Sequence, residues 1–218
     1  MAITKGCKGE APGGDIAIVS GSELQAPGVP FLAGKTVSLR PITEKDAPMF
    51  VRWLNEPEAR RYLRVLFPIT PESEKKWNAD SADMSTKSER LNLAIILNDG
   101  EQLIGDVGLH EMSWPDGTAW LGIMIGDKAC WGMGCAVEAA TIFLDYAFGE
   151  LGMRKILAGI YEPNARSRSV AKKIGFTLAG VHKDEVFVDG KFRDGCIYEL
   201  FKDEWLELKS RLETIVKS

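Results

Sequence analysis

Gly132 and Gly134 stand at the mouth of a strongly apolar stretch, WGMGCAVEAATIFLDYAF, with the composition of a buried helix. The first backbone N–H groups of a helix have no partner within it and carry partial positive charge. Where the residues around them lack side chains, an anion can come close. Trp131, Gly132, Met133, Gly134, Cys135 and Ala136 therefore read as a cradle for a pyrophosphate, with a tight packing turn as the plain alternative. A second segment, YEPNARSRSVAKKIGF, sets Asn164 at a helix start and follows it with Arg166, Arg168, Lys172 and Lys173. On a chain of formal net charge -4 this is local positive charge, although such runs are most often a solvated helix face.

Three other patterns fail on their spacing. GVPFLAGKT ends in the Gly-Lys-Thr of a phosphate loop, but five residues separate Gly28 from Gly34 and a strand follows instead of a helix. GMGCAV opens like a dinucleotide fingerprint, yet Val137 stands where its third glycine or alanine belongs. Cys7, Cys130, Cys135 and Cys196 form no Cys-x-x-Cys pair, and His110 and His182 are isolated, so no metal site is expected. Cys130 and Cys135 read as small packing residues.

The elements that must position these groups follow from periodicity and turn chemistry. Residues 1 to about 33, rich in Gly, Pro and Ser, read as a loose arm, and residues 34–218 as one domain. TVSLRPI is a strand, Thr43 with Asp46 begins a helix through EKDAPMFVRWLN, and NEPEARRYL is a second short helix. Thr70 and Pro71 start another at TPESEKKWNAD. LNLAIIL, QLIGDVGLHEM and TAWLGIMIG form an antiparallel meander, and the long helix then runs from about Gly134 to Gly149. Its polar residues Glu138, Thr141 and Asp145 share one face, so most of it is buried. RKILAGIY is a strand, Asn164 opens a helix, and a last hairpin turns at Asp189-Gly190 before a closing helix. This order predicts a mixed α/β sheet flanked by helices.

Composition narrows the function. The acidic balance argues against a nucleic-acid binder, and no apolar run approaches the roughly 18 residues that span a bilayer. MAITKGCKGEAPGG has no signal-peptide core, so a reduced cytoplasmic setting is expected.

WGMGCAVEA resembles the Gln/Arg-x-x-Gly-x-Gly/Ala motif of the GNAT acetyltransferases, in the Trp-Gly-x-Gly-x-Ala form of the RimJ/RimL-like branch. NARSRSVAKKIGF is similar to that branch's Asn-x-x-Ser…Gly-Phe motif. GVHKDEVFVDGKFRDGCIYEL resembles its terminal hairpin, and VSLRPITEKDAPMFVRWLNEPE its opening strand and helix. The resemblance covers residues 35 to 206. It implies a mostly antiparallel twisted sheet of about seven strands, with two parallel strands splayed apart where acetyl-CoA enters. By position these are TAWLGIMIG and RKILAGIY. The pantetheine arm would pair with Met124, Ile125 and Gly126, and the pyrophosphate would lie on Gly132 to Ala136. Asn164 and Ser167 would face the thioester end, with Arg168 or Lys172 reaching the nucleotide phosphates. A homodimer is also implied.

The resemblance implies direct attack of a primary amine on the thioester, the oxyanion held by N–H groups near Met124 and Ile125. This chain departs from the pattern twice. Ala171 stands where many members have an acidic Tyr, which leaves Ser167 as the proton donor. Trp120 replaces a frequent Glu, which leaves Glu111, Asp184 or Glu185 as the base. Acceptors in related proteins include protein N-termini, polyamines, aminoglycosides and amino sugars, and the mixed charges of residues 43–83 select none of them. Trp53, Trp77 and Trp114 are candidates for shaping an acceptor pocket, with core packing the commoner role. The rival class is an acetyl-CoA-binding sensor without turnover, suggested by Trp120 and Ala171.

Overall fold

The structure is a computed structural model that describes residues 30–73 and 89–217. Its strands are β1 (Leu32–Ala33), β2 (Val37–Pro41), β3 (Leu91–Leu97), β4 (Gln102–Ser113), β5 (Thr118–Ile125), β6 (Lys155–Tyr161), β7 (Thr177–Val188) and β8 (Lys191–Phe201). They form one sheet in the order β1-β2-β3-β4-β5-β6-β8-β7. Every neighbouring pair is antiparallel except β5–β6. The sheet thus has eight strands where about seven were expected. The added one, β1, lies at the end of the expected arm and pairs Leu32 with Leu39 and Ala33 with Ser38. Two residues are too few to show an alternation in sequence.

The helices are α1 (Ala47–Asn55), α2 (Pro57–Arg60), α3 (Cys135–Gly149), α4 (Ala165–Lys173) and α5 (Lys202–Lys217). Helix α3 is the spine of the core and buries Ala139, Ala140, Phe143, Leu144, Ala147 and Phe148. Fully burying a side chain such as Phe143 contributes about 1.5–3 kcal/mol. The polar stripe read from the sequence is present. Glu138 accepts from the Lys35 and Thr36 amides at 2.6 and 2.9 Å, and Asp145 accepts from Trp205 Nε1 and Lys209 Nζ at 2.9 and 2.8 Å.

At the opening of α1, Thr43 and Asp46 form the capping box that their spacing predicts, preceded by a 3-10 turn over Glu44–Asp46. Asp46 is buried and takes two 2.8 Å bonds from the Arg40 guanidinium. Burial pushes its pKa up, but Arg40 and the Thr43 amide outweigh that and hold it below its ordinary value. Trp53 of α1 then packs on Gly126, where a Cβ would collide with the indole, and this fixes α1 against the end of β5. Residues 71–73 are helical, with Thr70 Oγ1 accepting from the Ser73 amide at 3.2 Å as its capping role requires. The rest of that expected helix, including Trp77, lies outside the described residues, as do residues 1–29.

Candidate active site

Strands β5 and β6 pair at only three positions, Thr118 with Lys155, Ala119 with Ile156 and Trp120 with Leu157. Beyond Trp120 they part, and a cavity of about 720 Å³ occupies the opening. On its other side β5 stays paired with β4. The Gly126 amide donates to Ile104 O on the β4 side at 2.9 Å. Backbone groups alternate sides along an antiparallel strand, so the Ile123 and Ile125 N–H groups turn toward the opening and that of Met124 toward β4. The expected oxyanion donors therefore divide, Ile125 facing the cavity and Met124 facing away. Side chains alternate as well. Leu121, Ile123 and Ile125 pack toward the core, which leaves Trp120, Gly122 and Met124 on the opposite face.

The cradle closes one end of the opening. Gly132 and Gly134 have φ of 80° and 88°, the left-handed region that favours glycine. Gly134 is the N-cap of α3, and the space that a Cβ would take at either glycine is empty. Trp131 braces this loop, since its Nε1 donates to Ile125 O at 2.7 Å. The Arg166 guanidinium lies 3.8 Å above its ring. On the side toward α2, Lys128 stands 5.9 Å from the same ring and is ion-paired with Glu56 and, at 2.7 Å, with Glu58.

Helix α4 forms the second wall. Asn164 caps it, its Oδ1 accepting from the Ser167 amide at 3.2 Å. Asn164, Arg166, Ser167, Val170, Lys173 and Ile174 line the cavity, whereas Arg168 and Lys172 do not. Those two are four residues apart and share the face turned away. Arg166 therefore stands over the cradle where Arg168 or Lys172 was expected. Gly126 and Met133 also lie outside the lining, Gly126 because Trp53 covers it.

Across the sheet, the face bearing Trp120 is cleared by glycines on four strands, and larger neighbours lean over them. Asn92 lies over Gly108, the Trp120 ring reaches within 3.6 Å of the Cβ position of Gly159, and Glu185 lies over Gly195. The His110 imidazole stands 3.6 and 3.7 Å from the Cβ position of Gly122. His110, Glu111, Trp120, Tyr161 and Glu185 all line the cavity. Of the three expected carboxylates, Glu111 and Glu185 are thus brought to it and Asp184 is not. Asp184 donates its amide to Asp194 Oδ1 at 3.1 Å, and Asp194 also accepts from Lys183 at 2.7 Å, so Asp194 organises the hairpin. Burial pushes the Tyr161 hydroxyl pKa up and that of His110 down. Cys130, Cys135 and Cys196 are buried free thiols, and burial raises the pKa of the first two, which suits packing rather than nucleophilic chemistry. Trp53 is buried and Trp114 partly exposed outside the cavity lining. Sequence reasoning missed His110, Arg166 and Tyr161. Their common signal is a place on the strand or helix face that turns toward the opening.

Residues 36–177 match the acetyltransferase (GNAT) domain family. The chain belongs to that family. It is 30% identical to the probable N-acetyltransferase YjcK of Bacillus subtilis, over 75% of this chain and 93% of that protein. It is 26% identical to the spermidine N(1)-acetyltransferase of Escherichia coli, over 84% of this chain and 95% of that one. In fold it resembles Mycobacterium smegmatis RimJ in complex with CoA-disulfide, with a TM-score of 0.68, 22% identity, and coverage of 77% and 83%. The GNAT chain is an N-acetyltransferase that uses acetyl-CoA to acetylate an amine. The parted β5–β6 pair and the bare start of α3 fit that co-substrate. No helix among the described residues is long and apolar enough to cross a membrane.

Proposed function

We propose that this GNAT enzyme acetylates a small primary amine carrying additional positive charge, of the polyamine class. The observation that carries the reading is the makeup of the acceptor side of the cavity. Glu111 and Glu185 line it with Trp120, Tyr62 and Tyr161, against Arg64. Carboxylates attract a polycation, and aromatic faces accept an ammonium or its alkyl stem. The similarity to a spermidine N(1)-acetyltransferase supports the same class.

In this reading the acetyl carbonyl lies where β5 and β6 part, its developing charge facing the Ile123 and Ile125 amides. Asn164 holds the first turn of α4 so that Ser167, which lines the cavity, can protonate the departing thiolate. Pyrophosphate charge meets the first turn of α3, with Arg166 above it. We infer a reducing, cytoplasmic setting from the three free buried thiols among the described residues. We also infer a homodimer. Phe187 and Phe192, 66% and 64% exposed at the hairpin tip, pack edge to face at 5.2 Å and offer an apolar patch to a second copy. Sedimentation of the purified chain at a dimer mass is the expected result.

The acceptor is tested by CoA release with spermidine, spermine, an alanine-initiated peptide and glucosamine. Spermidine or spermine is expected to give the highest kcat/KM, falling steeply as salt is raised. A preference for the peptide at all salt concentrations would overturn the acceptor class.

A further inference from the structure

We propose that His110 is the proton acceptor for the attacking amine. The inference rests on the acetyltransferase reading and names a catalytic group within it. Direct attack on a thioester needs an amine that has lost its proton, so a base must stand where the parted strands expose the carbonyl. His110 pairs in register with Trp120, the last residue of β5 that is still joined to β6. Its imidazole edge lies 3.6 and 3.7 Å from the empty Cβ position of Gly122, two residues further along β5. A side chain at Gly122 would separate the imidazole from the opening, and glycine leaves the approach clear. The ladder between His110 and Ser113 is irregular, with Glu111 at φ 50°. A bulge of this kind re-aims the side chains beside it.

The carboxylates are placed less well. Asp184 does not line the cavity. Glu185 meets His182 Nδ1 at 2.8 Å and lies across Gly195 on β8, beyond β6. Glu111 follows His110 on the bulge and acts on the imidazole as a neighbouring negative charge.

Protonation agrees with the geometry. Burial lowers the His110 pKa, Glu111 on its own strand raises it, and Arg90 ahead of β3 lowers it, for a net fall from 6.5. Trp120 and Gly122 on β5 do not titrate, and Tyr161, Glu185 and Arg64 are ionisable groups across the opening. The imidazole is thus neutral at neutral pH and ready to accept. In the step, the ammonium proton passes to the imidazole, directly or through one water, and the freed nitrogen lone pair attacks the carbonyl carbon. The C–S bond then breaks, the thiolate takes a proton from Ser167, the nitrogen gives up its second proton through water to restore the Ser167 hydroxyl, and the imidazolium returns its proton to solvent.

The test compares wild type, H110Q and H110A with acetyl-CoA and spermidine, and with the alanine-initiated peptide. Acetyl-CoA binding is measured in parallel by calorimetry. H110Q is expected to lower kcat/KM by about 10²- to 10³-fold and to abolish the acidic limb of its pH profile. Acetyl-CoA affinity is expected to stay unchanged, and free imidazole to restore part of the H110A rate. The chain has two histidines, so the imidazole resonance missing in H110Q assigns His110, and its titration should match the wild-type limb. H110Q within about threefold of wild type, or retaining the limb, overturns the base alone. A wild type that binds acetyl-CoA but acetylates neither probe overturns the base together with the acceptor reading.

Discussion

Two glycine-bearing loops meet the first turn of α3, and they differ in what fills them. Gly34-Lys35-Thr36 has the letters of a phosphate loop, and its amides do hold an anion. That anion is the carboxylate of Glu138, part of the chain itself. A Cβ at Gly34 would collide with Glu138, Ile142 and the Val37 carbonyl. Around Gly132 and Gly134 there is nothing within reach. Both loops present backbone N–H groups, so glycine content does not decide which one takes a ligand. What decides is whether the chain has already supplied the negative charge. The first loop fastens β1–β2 to α3, and the second is left open to solvent and the cleft.

The contrast can be broken from either side. The largest effect is expected from Gly134→Glu, which gives the open loop a carboxylate of its own. Acetyl-CoA affinity by calorimetry should fall about 100-fold or more, equivalent to about 3 kcal/mol. Gly134→Ala, which adds only the cost of a side chain at φ 88°, should lose less. That ordering separates charge from strain.

Emptying the filled loop should act on stability and leave co-substrate binding alone. Glu138→Ala leaves the Lys35 and Thr36 amides without their acceptor, at a cost of about 1–3 kcal/mol. Each kcal/mol corresponds to a fall of about 2–4 °C in Tm for a chain of this size. Sulfate should raise the Tm of this variant more than that of wild type, because the vacated amides can take an external anion. Equal sulfate effects would show that the loop has no anion affinity of its own. The pH dependence follows from the same contact. Burial raises the Glu138 pKa, but donation from the Thr36 and Lys35 amides outweighs it, and the net shift is below 4.5. This stabilisation is therefore present above pH 4.5 and lost as pH falls through the folded-state pKa. Wild type should lose its Tm advantage over E138A across that window.

A smaller effect is expected from Arg166→Ala, which removes the cation stacked over Trp131 at the open loop. Acetyl-CoA should bind about 3- to 10-fold more weakly, in line with a partly exposed cation–π and phosphate contact, and with a shallower salt dependence. An unchanged salt slope would assign Arg166 to bracing Trp131 alone.

Much of this architecture was legible in the sequence, for reasons that can be named. The alternation in TVSLRPI, the apolar run after Gly134, the capping box at Thr43 and the Asp189-Gly190 turn are local signals, and each appears where expected. The cradle and the Asn164 cap were legible because glycine and asparagine act through the backbone beside them. Helix phase was harder. Arg166, Arg168, Lys172 and Lys173 look alike as a run, and only the packing of Val170 and Ile174 shows which of them turn to the cavity. The acceptor face could not be read at all. Gly108, Gly122, Gly159 and Gly195 are scattered along the chain, and they become a floor only once four strands are laid side by side.

Three residue pairs are the whole β-ladder between β5 and β6, and hence between the two parts of the sheet. A seam that short makes the sheet two plates sharing a brief hem, with Gly122 to Ile125 unstitched along one margin. Acetyl-CoA seated between the plates would act as the missing stitches. Amides of Ile123 and Ile125 should then exchange with deuterium fast in the empty enzyme and slowly in the filled one. Proteases that act on opened chains would meet the empty enzyme more often. The amount of this protein in a cell would then rise and fall with the supply of the metabolite it consumes.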